Sequence, residues 1–124
     1  MILGLGTDVC PVARWERLLA RHGDRGVRRI LAPEEMEYVL ATAPRRLAER
    51  LAGRWALREA FGKALGTGMD GWSWKELRYR DGRLWAEGTL EQLLADRGVQ
   101  RLHASLSHDA GMAWAVVILE SGPI

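Results

Sequence analysis

Short apolar runs near both ends of the chain, with helical spacing between them, divide the sequence into strands and helices. Residues 1–9 (MILGLGTDV) are an apolar run closed by glycines and Asp8, the pattern of a short buried strand. Val12, Trp15 and Leu19 then fall on one side of a helix, with Arg14, Arg17 and Arg21 on the other, which predicts an amphipathic helix over 12–20. Pro33, Glu34 and Glu35 mark the first turn of a second helix reaching about Leu40. Proline loses no hydrogen bond at that position, and acids suit the positive end of the helix dipole.

The longest periodic stretch covers 44–65. Leu47, Leu51, Trp55, Phe61 and Leu65 make a wide apolar stripe, Ala56, Ala60 and Ala64 add a small-residue side, and Gly66 supplies a C-terminal stop. Residues 72–87 read as a strand pair with Asp81-Gly82 as its tight turn, followed by a short helix over 90–96. Two last strands, over 101–107 and 112–120, flank a loop at 108–111. With no repeat, low-complexity tract or long linker, residues 1–124 are expected to form one domain. Its class is α+β, an antiparallel sheet packed against one long central helix.

Composition changes this picture little. The 124 residues are 48% hydrophobic and 27% charged, enough for one core and ordinary for a globular chain. No apolar run approaches the roughly 20 residues of a membrane span, and no signal sequence precedes the first strand, so no membrane association is expected. Cys10 is the single cysteine, which excludes an internal disulfide, fits a reducing, cytoplasmic setting, and reads as an inert core thiol.

Charge distribution changes the picture more. Between Arg14 and Arg29, six arginines stand against Glu16 and Asp24, a local balance of +4 in a chain whose total is +2. Such a patch is either a solvated helix face or the docking surface of an acidic macromolecule. Trp15 lies on the side away from the arginines, which argues against a basic-aromatic surface for single-stranded nucleic acid.

Candidate chemistry begins with Asp8, at the end of an apolar strand, and Glu59, within an apolar helix. A carboxylate in such surroundings must be protonated, paired or bound to metal. Arg58 and Lys63 are available as ion-pair partners; alternatively, two carboxylates from separate elements suit magnesium, which takes oxygen ligands and completes its shell with waters and substrate phosphates. No histidine and cysteine cluster offers a zinc site. Lys63 lies one turn after Glu59, and the Gly66-Thr67-Gly68 run beyond it lets backbone amides approach an anion. The G-x-G-x-x-G spacing from Gly66 to Gly71 follows a helix where a dinucleotide fold needs a preceding strand, so that reading is rejected. Ser107, His108 and Asp109 are adjacent in extended chain, point to alternate faces and cannot form a hydrolase triad among themselves. His108 remains a phosphate donor, a proton carrier or a hydrogen-bonded loop residue.

Taken together, GLGTDV with Arg14 after it, RRILAPEE, RLAGRWALREAFGKALGTGM and HASLSHD resemble the holo-acyl-carrier-protein synthases, in family order and spacing across nearly the whole chain. The resemblance implies a magnesium-dependent phosphopantetheinyl transferase, usually a homotrimer, that takes coenzyme A as substrate and an acyl carrier protein as partner. It implies Asp8 and Glu59 as metal ligands, with Glu59, Lys63 and His108 at the catalytic site. Arg54, Arg58, Lys63, Gly66, Thr67, Gly68 and His108 would contact coenzyme A, and Arg14, Arg17 and Arg21 would dock the carrier protein. Arg58 stands where the family commonly carries lysine, so a planar fork of donors replaces a point charge. Glu59, Asp109 and a metal-bound water are all candidates for taking the proton of the attacking serine. A transferase acting on polyketide or peptide assembly-line carriers would use the same residues.

Overall fold

In the computed structural model, residues 1–42, 46–68 and 71–122 are described. The order of elements is β1 (Ile2–Pro11), α1 (Val12–His22), α2 (Arg25–Ile30), α3 (Pro33–Thr42), α4 (Leu47–Leu65), β2 (Leu77–Arg80), β3 (Arg83–Ala86), α5 (Gly88–Asp96), β4 (Arg101–Asp109) and β5 (Met112–Glu120). β1, β5 and β4 form an antiparallel sheet in that order, and α4 lies across it. This is the expected α+β arrangement. No helix among the described residues is long and apolar enough to cross a membrane.

α4 approaches the sheet closely because β1 has no side chains where the two meet. A Cβ on Gly4 would sit 2.0 Å from the Ala64 carbonyl oxygen, and one on Gly6 would sit 1.9 Å from that of Ala60. No rotamer relieves an overlap with backbone. The small residues of α4 complete the fit: Ala52, Ala56 and Ala60 are fully buried beneath Ala113, Ala115 and Val117 of β5. The helix is buried around most of its circumference, so its apolar residues form no single stripe.

Strand alternation divides β1 into two faces. Gly6 and Cys10 are buried on the helix side with Asp8 between them, whereas Leu3, Leu5 and Val9 are exposed on the other. Trp114 and Val116 of β5 are exposed on that outer face as well.

Several expected boundaries change. Residues 72–87 are not one strand pair: Ser73 and Glu76 form a capping box around a 3₁₀ turn at Trp74–Glu76, and only then do β2 and β3 pair. They form a separate two-stranded sheet. α2 was not expected, because its six residues include three arginines and only two buried apolar side chains. The 108–111 loop shrinks to the turn Ala110-Gly111, since His108 and Asp109 still pair with Ala113 and Met112. The expected start of the long helix near Pro44 lies outside the described residues.

Candidate active site

Asp8 is carried to α4 by the same close packing. Lys63 Nζ donates to Asp8 Oδ1 at 3.1 Å and to the Thr7 carbonyl at 3.0 Å. Glu59, one turn earlier on the helix, is half-buried and has no hydrogen bond or ion pair to a described residue. Burial pushes the Cys10 thiol up; Arg14 opposes this, and Asp8 and Glu59 add to it. Lys63 therefore pairs with Asp8, and Glu59 lacks the arginine partner that the sequence allowed.

The cleft beside these groups has a volume of about 370 Å³ and is lined by Glu59, Gly62, Lys63, Gly66, Gly68 and Trp74. Gly66 ends α4 at φ 85°, a conformation that favours glycine, and its N–H returns to the Gly62 carbonyl. The Thr67 side chain is exposed and 3.5 Å from Arg97 Nη2. Glu59 lines this cleft without an ion pair to a described residue, and Asp8, from a different element, reaches its edge through the bond to Lys63. The two carboxylates are an all-oxygen set with open positions, suited to a hard divalent cation that also binds substrate oxygens. Lys63 is 57% exposed, so it can leave Asp8 without breaking core packing.

His108 occupies a different place. It lies on the helix-facing side of β4, where Nε2 donates to the Glu49 carbonyl at 3.2 Å. Gly53 makes room for the ring, since a Cβ there would be 3.1 Å from Nε2. Gly53 and Lys63 are ten residues apart on α4, about 15 Å along the helix axis at 1.5 Å per residue. Within one chain, then, His108 and Lys63 lie toward opposite ends of α4.

The pocket at His108 is about 300 Å³, and its lining includes Arg46, Arg50, Arg54, Tyr79 and Asp81. Arg46, Arg50 and Arg54 recur every four residues and so share one helix face. Arg50 Nε is buried without a hydrogen-bond partner among the described residues. Arg46 and Arg50 were not singled out from the sequence, although their spacing with Arg54 was the available signal.

Arg54 and Arg58 are buried, at 4% and 1% exposure. Arg54 reaches the Tyr79 carbonyl at 3.4 Å and faces Glu35 Oε2 at 3.5 Å, an ion pair without hydrogen-bond geometry. It remains on the wall of the His108 pocket. Arg58 does not face a ligand: its guanidinium is held by Glu35 and by the carbonyls of Arg54, Trp74 and Leu77. The expected contact of Arg58 with coenzyme A is therefore corrected, because its donors are taken up inside the protein. Burial lowers both guanidinium pKa values, with Glu35 opposing.

Arg14, Arg17 and Arg21 are exposed along α1, and Leu18, 38% exposed, stands among them. Trp15 is buried behind them, with its ring centroid 6.4 Å from that of Trp55 on α4. The basic face thus adjoins the helix that carries Glu59 and Lys63.

Comparison with known proteins identifies the family and the fold. The family model for the 4'-phosphopantetheinyl transferase superfamily matches residues 4–117. A holo-acyl-carrier-protein synthase of Anaeromyxobacter sp. (strain K) is 45% identical over 131 residues, covering 99% of this chain and 100% of that protein. The crystal structure of the holo-acyl-carrier-protein synthase from Neisseria meningitidis matches with a TM-score of 0.88 at 31% identity, over 98% of this chain and 100% of that one. That of Helicobacter pylori, solved in complex with coenzyme A, matches with a TM-score of 0.79 at 28% identity, over 94% and 99%. Sequence and backbone agree over almost the full length, and the chain belongs to the 4'-phosphopantetheinyl transferase superfamily.

Proposed function

We propose that this transferase moves the 4'-phosphopantetheine arm of coenzyme A onto a serine of an acyl carrier protein, releasing adenosine 3',5'-bisphosphate. One observation carries the reading: β1 brings Asp8 against Lys63 of α4, and Lys63 and Glu59 line one cleft that ends in a glycine turn. The related protein of Helicobacter pylori, whose structure contains coenzyme A, supports the choice of substrate.

Asp8 and Glu59 would hold a magnesium ion. When bound, the metal supplies positive charge to the diphosphate and to the oxygen that leaves. Lys63, released from Asp8 by the diphosphate, adds a second charge, and the amides around Gly66 and Gly68 accommodate phosphate oxygens. The serine oxygen bonds to the pantetheine-bearing phosphorus as the diphosphate P–O bond breaks, adenosine 3',5'-bisphosphate leaves with that bond's electron pair, and the hydroxyl proton passes to a base, for which Glu59, Asp109 and a water are the candidates. Such a transfer depends on positioning and charge neutralisation rather than on a covalent enzyme intermediate. The arginine face of α1 around Leu18 docks the acidic carrier, as charge complementarity favours.

The pocket of Arg46, Arg50, Arg54 and His108 suits the second phosphate-bearing end of coenzyme A. About 15 Å of helix separates it from Lys63 within one chain. A homotrimer in which one protomer's pocket meets the cleft of the next accounts for both halves. The exposed apolar face of Leu3, Leu5, Val9, Trp114 and Val116 is the surface for that assembly.

Incubating an apo acyl carrier protein with this protein, coenzyme A and magnesium, then weighing the carrier by mass spectrometry, tests the reading. The carrier should gain one phosphopantetheine, and chelator should abolish the gain. An unmodified carrier under metal-replete conditions rejects the proposal.

A further inference from the structure

We propose that Arg58 is a positioning residue that sets the Trp74 wall of the Lys63 cleft and couples it to the arginine pocket at His108. The inference rests on the functional reading above, in which the two places hold the two ends of coenzyme A. Arg58 Nε donates to the Trp74 carbonyl at 3.1 Å, and Nη2 donates to Leu77 at 2.7 Å. These two bonds fix both ends of the 3₁₀ turn that delivers Trp74 to the cleft. Nη2 also donates to Glu35 Oε1 at 2.8 Å, while Nη1 reaches back to the Arg54 carbonyl at 3.1 Å. Glu35 in turn accepts the Tyr79 N–H at 3.0 Å through Oε2, the oxygen that faces Arg54.

One guanidinium therefore joins α4, the acid on α3 and the start of β2, and one carboxylate passes the connection to Arg54 and Tyr79. Only a planar fork with donors on three nitrogens spans these acceptors; a lysine ammonium presents all its donors from one point. At 1% exposure there is no water to replace a lost bond. The Trp74 ring is held from the other side by Trp55 and Trp72, with centroids at 5.3 and 5.2 Å. Its place over the cleft is thus set by one polar anchor and two ring contacts.

The test is Arg58→Lys, read by steady-state kinetics and by acrylamide quenching of tryptophan emission. The KM for coenzyme A should rise about tenfold, with the KM for carrier protein within about twofold of the parent. Quenching should increase, and the increase should vanish when Arg58→Lys is made in a Trp74→Phe background. A purely structural role predicts instead a smaller folded fraction with both KM values unchanged, and that result overturns the proposal. Should Arg58→Lys not fold, Trp74→Ala removes the wall while leaving the network in place. It must reproduce the selective rise for coenzyme A, and an unchanged KM overturns the proposal equally. Parent protein that transfers nothing rejects the functional reading, whereas the quenching comparison still decides whether Arg58 holds Trp74.

Discussion

Glu59 and Lys63 line the cleft, Asp8 joins them through Lys63, and the bonding of the two carboxylates differs. Asp8 is held by Lys63, whereas Glu59 has no ion pair to a described residue. Removing either acid should abolish transfer by eliminating half of the proposed metal donors. Asp8→Ala and Glu59→Ala should each lower kcat/KM by about 10³-fold or more, with unchanged circular dichroism. Near-parental activity of either variant at low magnesium counts against the metal assignment. Arg58 shows what residue spacing conceals. It precedes Glu59 by one position, which turns it about 100° around the helix, away from the cleft and into the Glu35 network. That Glu59 and Lys63 share one side of α4 was legible because one turn separates them. The destination of Arg58 was not, because it depends on an acid from α3 that periodicity does not place.

At the level of elements, the GLG run does more than end a strand. It removes the side chains that would keep β1 from α4 and so brings Asp8 within reach of Lys63. Gly6→Ala should cost about 3 kcal/mol in denaturant unfolding, because backbone rather than a movable side chain occupies the space. A loss below about 0.5 kcal/mol, the range of ordinary surface substitutions, contradicts this packing account. The α1 helix was readable from its spacing, and its arginines are exposed as that spacing requires. Arg14→Glu or Arg21→Glu should raise the KM for carrier protein much more than that for coenzyme A, with an effect that shrinks at high salt. Equal effects on both substrates would remove the docking role. α2 escaped notice for want of length, and the 3₁₀ turn at Trp74–Glu76 because a capping box overrode the strand pattern around it.

For the whole molecule, the outer face of the three-stranded sheet is the feature that the isolated chain leaves uncovered. The fold class followed from the strand and helix periods, but which sheet face meets α4 depended on the two glycines. Placing charge on the outer face, with Leu5→Asp and Trp114→Lys separately, should yield folded monomers in sedimentation and lose transfer while sparing the interior. Parental sedimentation of both variants would set aside the proposed trimer. Because α4 keeps the His108 pocket and the Lys63 cleft at opposite ends, each protomer of the proposed trimer would contribute to two catalytic centres. Inactivity then becomes a property of neighbours rather than of single chains. A preparation damaged only at Glu59 and one damaged only at Arg54, unfolded together and allowed to reassociate, should recover turnover that neither possesses alone, since mixed rings contain junctions with both halves sound.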